Sequence, residues 1–268
     1  MGAVAKKKSA ELSTEVMDDV WADAGKGASF KEDEMQVPFL RLAQDMSPQT
    51  KKNKPEFIDG LEYGGIFNTL TSEFWLREDG LRVIVCDTVT KYTEWVPRDN
   101  GGGFVSEIDA DDPVLEEVVR EKGADVMPNG NHLIKADNFY CLYESADGGW
   151  NPAILDMKIT QLKIGRRWKS KINICTMKHP KTGQVAKAPI FANIWKISSV
   201  DETNKNNDTY ANYSVDMDTK NFFFDDMDLY QQAKSLATAV AAGDLKESVD
   251  PEKQNKAPPV DKDQEIPF

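Results

Sequence analysis

The chain has 268 residues, of which 40% are hydrophobic and 29% charged, and a formal net charge of -12. That is enough apolar material for one large core or two small ones, and the acidity excludes a bulk cationic coat for nucleic acid. No run of about 18 apolar residues occurs, and the basic start MGAVAKKK leads into no apolar signal segment. These features predict a cytoplasmic protein with no membrane partner.

Residues 1–35 read as a flexible leader. In it, Leu12, Val16, Val20 and Ala24 recur at helical spacing, with Ser13 as the cap and Gly25 as the stop, which predicts a short amphipathic helix. Residues 36–225 have strand character and form the expected core. Leu81–Cys86, Thr88–Val96, Leu133–Tyr143, Ala153–Ile159 and Pro189–Ile197 are β-branched or aromatic runs bounded by Gly, Pro, Asn and Asp. Gly101 to Gly103 read as a hairpin tip, since no GK[ST] follows to make a phosphate loop. One helix is expected inside the core: Asp112 caps it, Pro113 opens it, VLEEVVREK follows and Gly123 stops it. A second helix is expected at 226–243, with a stripe of Leu229, Ala233, Leu236, Ala237 and Val240 closed by Gly243; it is a candidate surface for a homo-oligomer. Residues 244–268 are rich in Pro, Lys, Asp and Glu and read as a disordered acidic tail.

Cys86, Cys141 and Cys175 lie far apart in apolar stretches, which predicts reduced thiols and no metal site. His132 and His179 sit in turn-like contexts (NGNH, KHPKTG), so no histidine-based nucleophile and no cofactor are expected. The reading is a mainly β protein with flanking helices that is not an enzyme.

Charge is distributed unevenly. From Asn151 to Lys196 there are ten basic residues and one acid, Asp156. Such a block in an acidic chain predicts a polyanion site. Aromatics are interleaved with it. Trp168 lies in GRRWKSK, and YTEWVPRDNGGGF places Tyr92, Trp95, Arg98 and Phe104 on a strand and its loop. Unpaired nucleic acid offers both phosphates and flat bases, so cations beside aromatic platforms suit it. The expected DNA-binding set is Lys158, Lys163, Arg166, Arg167, Trp168, Lys169 and Lys171 with Tyr92, Trp95, Arg98 and Phe104. Trp195, in an alternating apolar strand, is assigned to the core.

The chain ends in Asp263-Gln264-Glu265-Ile266-Pro267-Phe268. This tip resembles that of bacterial single-stranded-DNA-binding proteins, and phage-type members likewise end in an acidic tail with a terminal Phe. VPFLRLAQDMSPQ and ILDMKITQLKIGRRWKSKI also resemble phage proteins encoded near replication genes. The resemblance implies an OB-fold-like antiparallel barrel with elaborations. It also implies sequence-independent binding and protection of single-stranded DNA in replication, recombination or repair. In that family the terminal Phe enters a pocket on a partner enzyme. By resemblance Ile266, Pro267 and Phe268, with the acidic Asp261, Asp263 and Glu265, would recruit replication or recombination proteins. Lys262 and Gln264 depart from the all-acidic pattern.

Two alternatives stand beside this. Asp156-x-Lys158 on an apolar strand, with Asp137 upstream, matches the core of restriction-type Mg²⁺-dependent nucleases. A non-enzymatic phage assembly or structural protein would need neither feature.

Overall fold

The computed structural model describes residues 36–204, 206–218 and 226–248. The expected leader helix and the partner-binding tip, Asp261 to Phe268, lie outside the described residues.

Fifteen strands and two α-helices are described: β1 Gln36–Val37, β2 Leu40–Leu42, β3 Ile66–Asn68, β4 Phe74–Trp75, β5 Leu81–Trp95, β6 Phe104–Ile108, β7 Val119–Glu121, β8 Ala124–Val126, β9 His132–Glu144, β10 Trp150–Lys158, α1 Leu162–Asn173, β11 Thr176–Lys178, β12 Val185–Lys187, β13 Ile194–Thr203, β14 Thr209–Met217, α2 Met227–Ala242 and β15 Lys246–Glu247. The mainly β class with flanking helices is as expected, and the sheets are not closed.

The main sheet is built on the long antiparallel pair β5 and β9, with strand order β14-β13-β5-β9-β8-β7. β10 pairs with the C-terminal half of β9, from Ala136 to Glu144, and β6 with the end of β5, from Tyr92 to Trp95. The two expected strands at 81–86 and 88–96 are one strand, whose register with β9 shifts between Val85 and Asp87. Alternation then sorts the core onto two faces. Val83, Val85, Phe139, Cys141, Leu155, Met157 and Trp195 meet α1 and the three-stranded sheet β2-β3-β4. Ile84, Cys86, Leu142 and Ile194 meet Leu229, Ala233 and Leu236 of α2. The Asp226 carboxylate accepts from the Leu229 amide at the start of α2, and Gly243 closes it at φ 75°. The Gly243 stop was legible in the sequence; the Asp226 cap was not read there.

The helix expected over 113–122 does not form. Asp112 caps Val114 as anticipated, but only a short 3-10 turn, Pro113–Glu116, follows. VRE and ADV instead pair as β7 and β8 across Lys122 and Gly123, both with positive φ. A two-residue turn with left-handed central residues matches the strand twist, and the two valines at 118 and 119 favour strand over helix.

The sheet edge at β14 is capped by side chains rather than by another strand. Gln44 donates to the Ala211 carbonyl and accepts from the Ala211 amide, at 2.8 and 3.1 Å. The Lys171 ammonium donates to the Val215 carbonyl at 2.6 Å. These contacts blunt an edge that would otherwise template pairing.

Candidate functional site

On the α2 side of the sheet, β5, β9 and β10 present one row each of inward-facing residues. Register aligns Lys91 with Ala136, Thr93 with Ile134 and Trp95 with His132, and it aligns Asp156 with Asn138 and Lys158 with Ala136. These nine side chains floor a concavity of about 520 Å³. Its walls are Phe39, the Gly102–Gly103 loop, Ile159 and Glu247. A volume of this size falls in the range of small-ligand sites, about 300–1,000 Å³.

Trp95 is the aromatic surface of the site. Its indole N–H donates to Thr93 Oγ1 at 2.9 Å, and Phe104 meets it edge-on at 5.5 Å. Arg98 is exposed on the 3-10 turn Arg98–Asn100 that leads into the glycines. Gly101, Gly102 and Gly103 all have positive φ, which lets the loop fold back so that the Val96 amide donates to the Gly103 carbonyl.

Charged groups frame the floor. Buried Asp156 accepts from Arg41 Nη1 at 2.8 Å, and Lys158 Nζ lies 3.5 Å from the same oxygen. The Arg41 guanidinium also sits over the Phe39 ring, 4.9 Å from its centroid. Lys91 pairs with Glu247 at 2.7 Å, and the Tyr140 hydroxyl donates to the same carboxylate. Burial and that neighbouring negative charge hold the Tyr140 proton well above the ordinary phenol range.

The concavity ends at a corner. β10 stops at Lys158, and α1 begins at Leu162 and runs along the opposite face of the sheet. Gly165 and Trp168 of α1 are buried, while Lys163, Arg166 and Arg167 project outward. Lys163 donates to Glu202 at 2.7 Å, a contact that raises its pKa and lowers that of Glu202. Further along, the exposed hairpin β11–β12 adds Lys178, Lys181 and Lys187. The basic block is therefore spread over the concavity, the outer face of α1 and the β11–β12 hairpin.

The expected DNA-binding residues divide accordingly. Trp95, Arg98, Phe104 and Lys158 come together at the concavity, and Lys163, Arg166 and Arg167 lie around its corner. Lys169 is drawn to buried Asp137 at 2.9 Å, and Lys171 to Val215 and Asp216. Tyr92 points to the other face of β5, with Lys135 Nζ 5.7 Å from its ring centroid.

Trp168 is not a platform: it is 1% exposed. At helical spacing it shares the buried stripe with Gly165 and Ile172, so the cations on either side of it in sequence fall on the outer face. Trp195 is core, as expected.

The acids of the nuclease alternative do not meet. Asp137 accepts from Thr90 and pairs with Lys169 beneath α1, whereas Asp156 lies on the other face with Arg41. Among the described residues, no group of three His, Cys, Asp or Glu is placed to hold a metal ion.

Lys91, His132 and Phe39 were missed at the sequence level because they join the site only through strand pairing, and Ile159 because its backbone turns there. His132, placed in a loop by its sequence context, opens β9 and faces the concavity. His179 stays in a turn, where its Nδ1 accepts from the Lys181 and Thr182 amides.

A model of the family described as Pam3 phage gp34-like protein matches residues 6–246. The match ends before the Ile-Pro-Phe tip. No curated protein and no solved structure matches the chain.

Proposed function

The chain belongs to the Pam3 phage gp34-like family, and from that premise we propose that it binds single-stranded DNA without sequence preference and protects it during phage DNA replication, recombination or repair. The observation that carries this reading is the convergence of Trp95, Arg98 and Lys158 on one concavity. In this reading a strand lies across the concavity with a base against Trp95. It then turns the corner at Lys158 so that later phosphates meet Lys163, Arg166 and Arg167.

A concave site prefers unpaired strands because only they can offer a base face to Trp95. Each stacked base contributes about 1–3 kcal/mol, and each phosphate neutralised adds a salt-dependent increment. The protein would act in the host cytoplasm; no helix among the described residues is long and apolar enough to cross a membrane. The Ile266-Pro267-Phe268 tip would recruit replication or recombination proteins.

The test is fluorescence anisotropy with labelled oligo-dT, oligo-rU and a duplex of equal length. The reading expects oligo-dT to bind more tightly than duplex, with a log–log salt slope of about -0.7 per phosphate contacted. No binding to any of the three at low salt (about 50 mM) rejects it in favour of an assembly or structural role. Tight binding to oligo-rU would extend the ligand to RNA.

A further inference from the structure

Ile159 occupies an unusual position. It follows Lys158 at the end of β10, with φ 53°, in the left-handed region. A β-branched side chain is an outlier there, because its Cβ substituents crowd the backbone. The turn from β10 into α1 needs such a residue, and Gly or Asn would supply it without strain. At 67% exposed, the isoleucine recovers little of that strain by burial. It also lines the concavity, as Gly102 and Gly103 do. An exposed apolar side chain held in a strained conformation at the rim of a site is the pattern expected where contact with a ligand offsets a local cost.

We propose that the concavity receives a single unpaired base and that Ile159 is the apolar wedge that separates this base from the next one along the strand. The inference rests on the single-strand reading above and deepens it. The chemistry fits the corner. Trp95 supplies a flat face, and Arg98 and Lys158 supply cations for the flanking phosphates. Ile159 stands where the strand must bend from the concavity towards Arg166 and Arg167. Aliphatic side chains inserted between bases unstack them in the same way in other nucleic-acid complexes. The left-handed φ takes Ile159 out of the alternation of β10, so that it lines the concavity beside Lys158.

The experiment compares full-length wild type with Ile159→Gly, Ile159→Asn and Ile159→Val. For each, the melting temperature and the affinity for oligo-dT are measured. Fluorescence of an oligo-dT carrying one 2-aminopurine reports unstacking. Gly and Asn relieve the left-handed strain, so their melting temperatures should equal or exceed that of wild type. Their affinity should fall about tenfold or more because the apolar side chain no longer meets the base, and the 2-aminopurine enhancement should disappear. Val keeps the branch and all but the terminal methyl, so it should bind and unstack nearly as wild type does. Equal affinity and equal 2-aminopurine signal across all four proteins would overturn the wedge, as would a fall in melting temperature for both Gly and Asn. If Trp95→Ala weakens binding while the Ile159 variants do not, only this inference fails. If wild type does not bind oligo-dT, the underlying reading fails with it.

Discussion

The Trp168 ring lies nearly parallel to Phe139, with centroids 4.5 Å apart and planes inclined by 15°, and Trp195 meets it edge-on at 5.9 Å. This trio fastens the cationic helix α1 to the β9–β10 face of the sheet. It separates two roles that sequence alone merges, since Trp168 anchors the helix that carries the basic residues and is itself buried.

Trp168→Ala should therefore act on stability. Removing a fully buried Trp costs about 3–5 kcal/mol, which urea denaturation would read as a lower midpoint. Trp168→Phe should be milder. It keeps the ring contact and removes a buried indole N–H that has no hydrogen-bond partner among the described residues. A Trp168→Ala protein that is fully stable yet loses DNA affinity would refute this assignment.

Asp156 and Arg41 form the second structural anchor beneath the concavity. Their side chains are 7% and 14% exposed and join β10 to β2. Breaking one side of such a buried pair costs about 3–5 kcal/mol, because the remaining charge is deprived of its main counterion. Arg41→Met should show this destabilisation in a denaturant melt, and Arg41→Met with Asp156→Leu should recover most of it. A double variant no more stable than Arg41→Met would show that the pair does not act as a unit.

The thiols make a prediction about pH. Burial pushes Cys86 up to about 12 and Cys141 well above the ordinary thiol range. Both groups hold their protons more tightly when folded. Their contribution is full below the unfolded thiol pKa, near 9, and is lost as pH rises from there towards about 12. Thermal melts should show a steady fall in stability across that window, smaller in a Cys86→Ala variant. Iodoacetamide at pH 8 should label native protein chiefly at half-buried Cys175. Rapid labelling of Cys86 would contradict the packing described here.

Where local pattern decides structure, the sequence was readable. The alternating runs became strands, except that in Pro189–Ile197 a 3-10 turn at Ile190–Ala192 precedes β13, and Gly243 closed α2 where expected. Most cations of the basic block are exposed, as Lys163, Arg166, Arg167, Lys178, Lys181 and Lys187 are, because so many charges cannot be buried together. What escaped depended on partners distant in the chain. Trp168 looked exposed between cations until helical spacing turned it inward. VRE looked helical until the Lys122–Gly123 turn paired it with ADV. The concavity was out of reach because β5, β9 and β10 contribute to it through register. Trp95 and His132 become neighbours although residues 96–131 lie between them, and nothing local marks that pairing. Ile159, read as the last residue of a strand, carries its meaning in a backbone angle.

The most direct measurement is the affinity for oligo-dT of wild type, Trp95→Ala, Lys158→Ala and the Arg166→Ala, Arg167→Ala pair, each checked for an unchanged melting temperature. Trp95→Ala should weaken binding by about 1–3 kcal/mol with little change in salt slope. Lys158→Ala and the arginine pair should weaken it while flattening the slope by about 0.7 for each phosphate no longer neutralised. Wild-type affinity in all three variants, with folding intact, would contradict a strand that crosses the concavity and turns its corner.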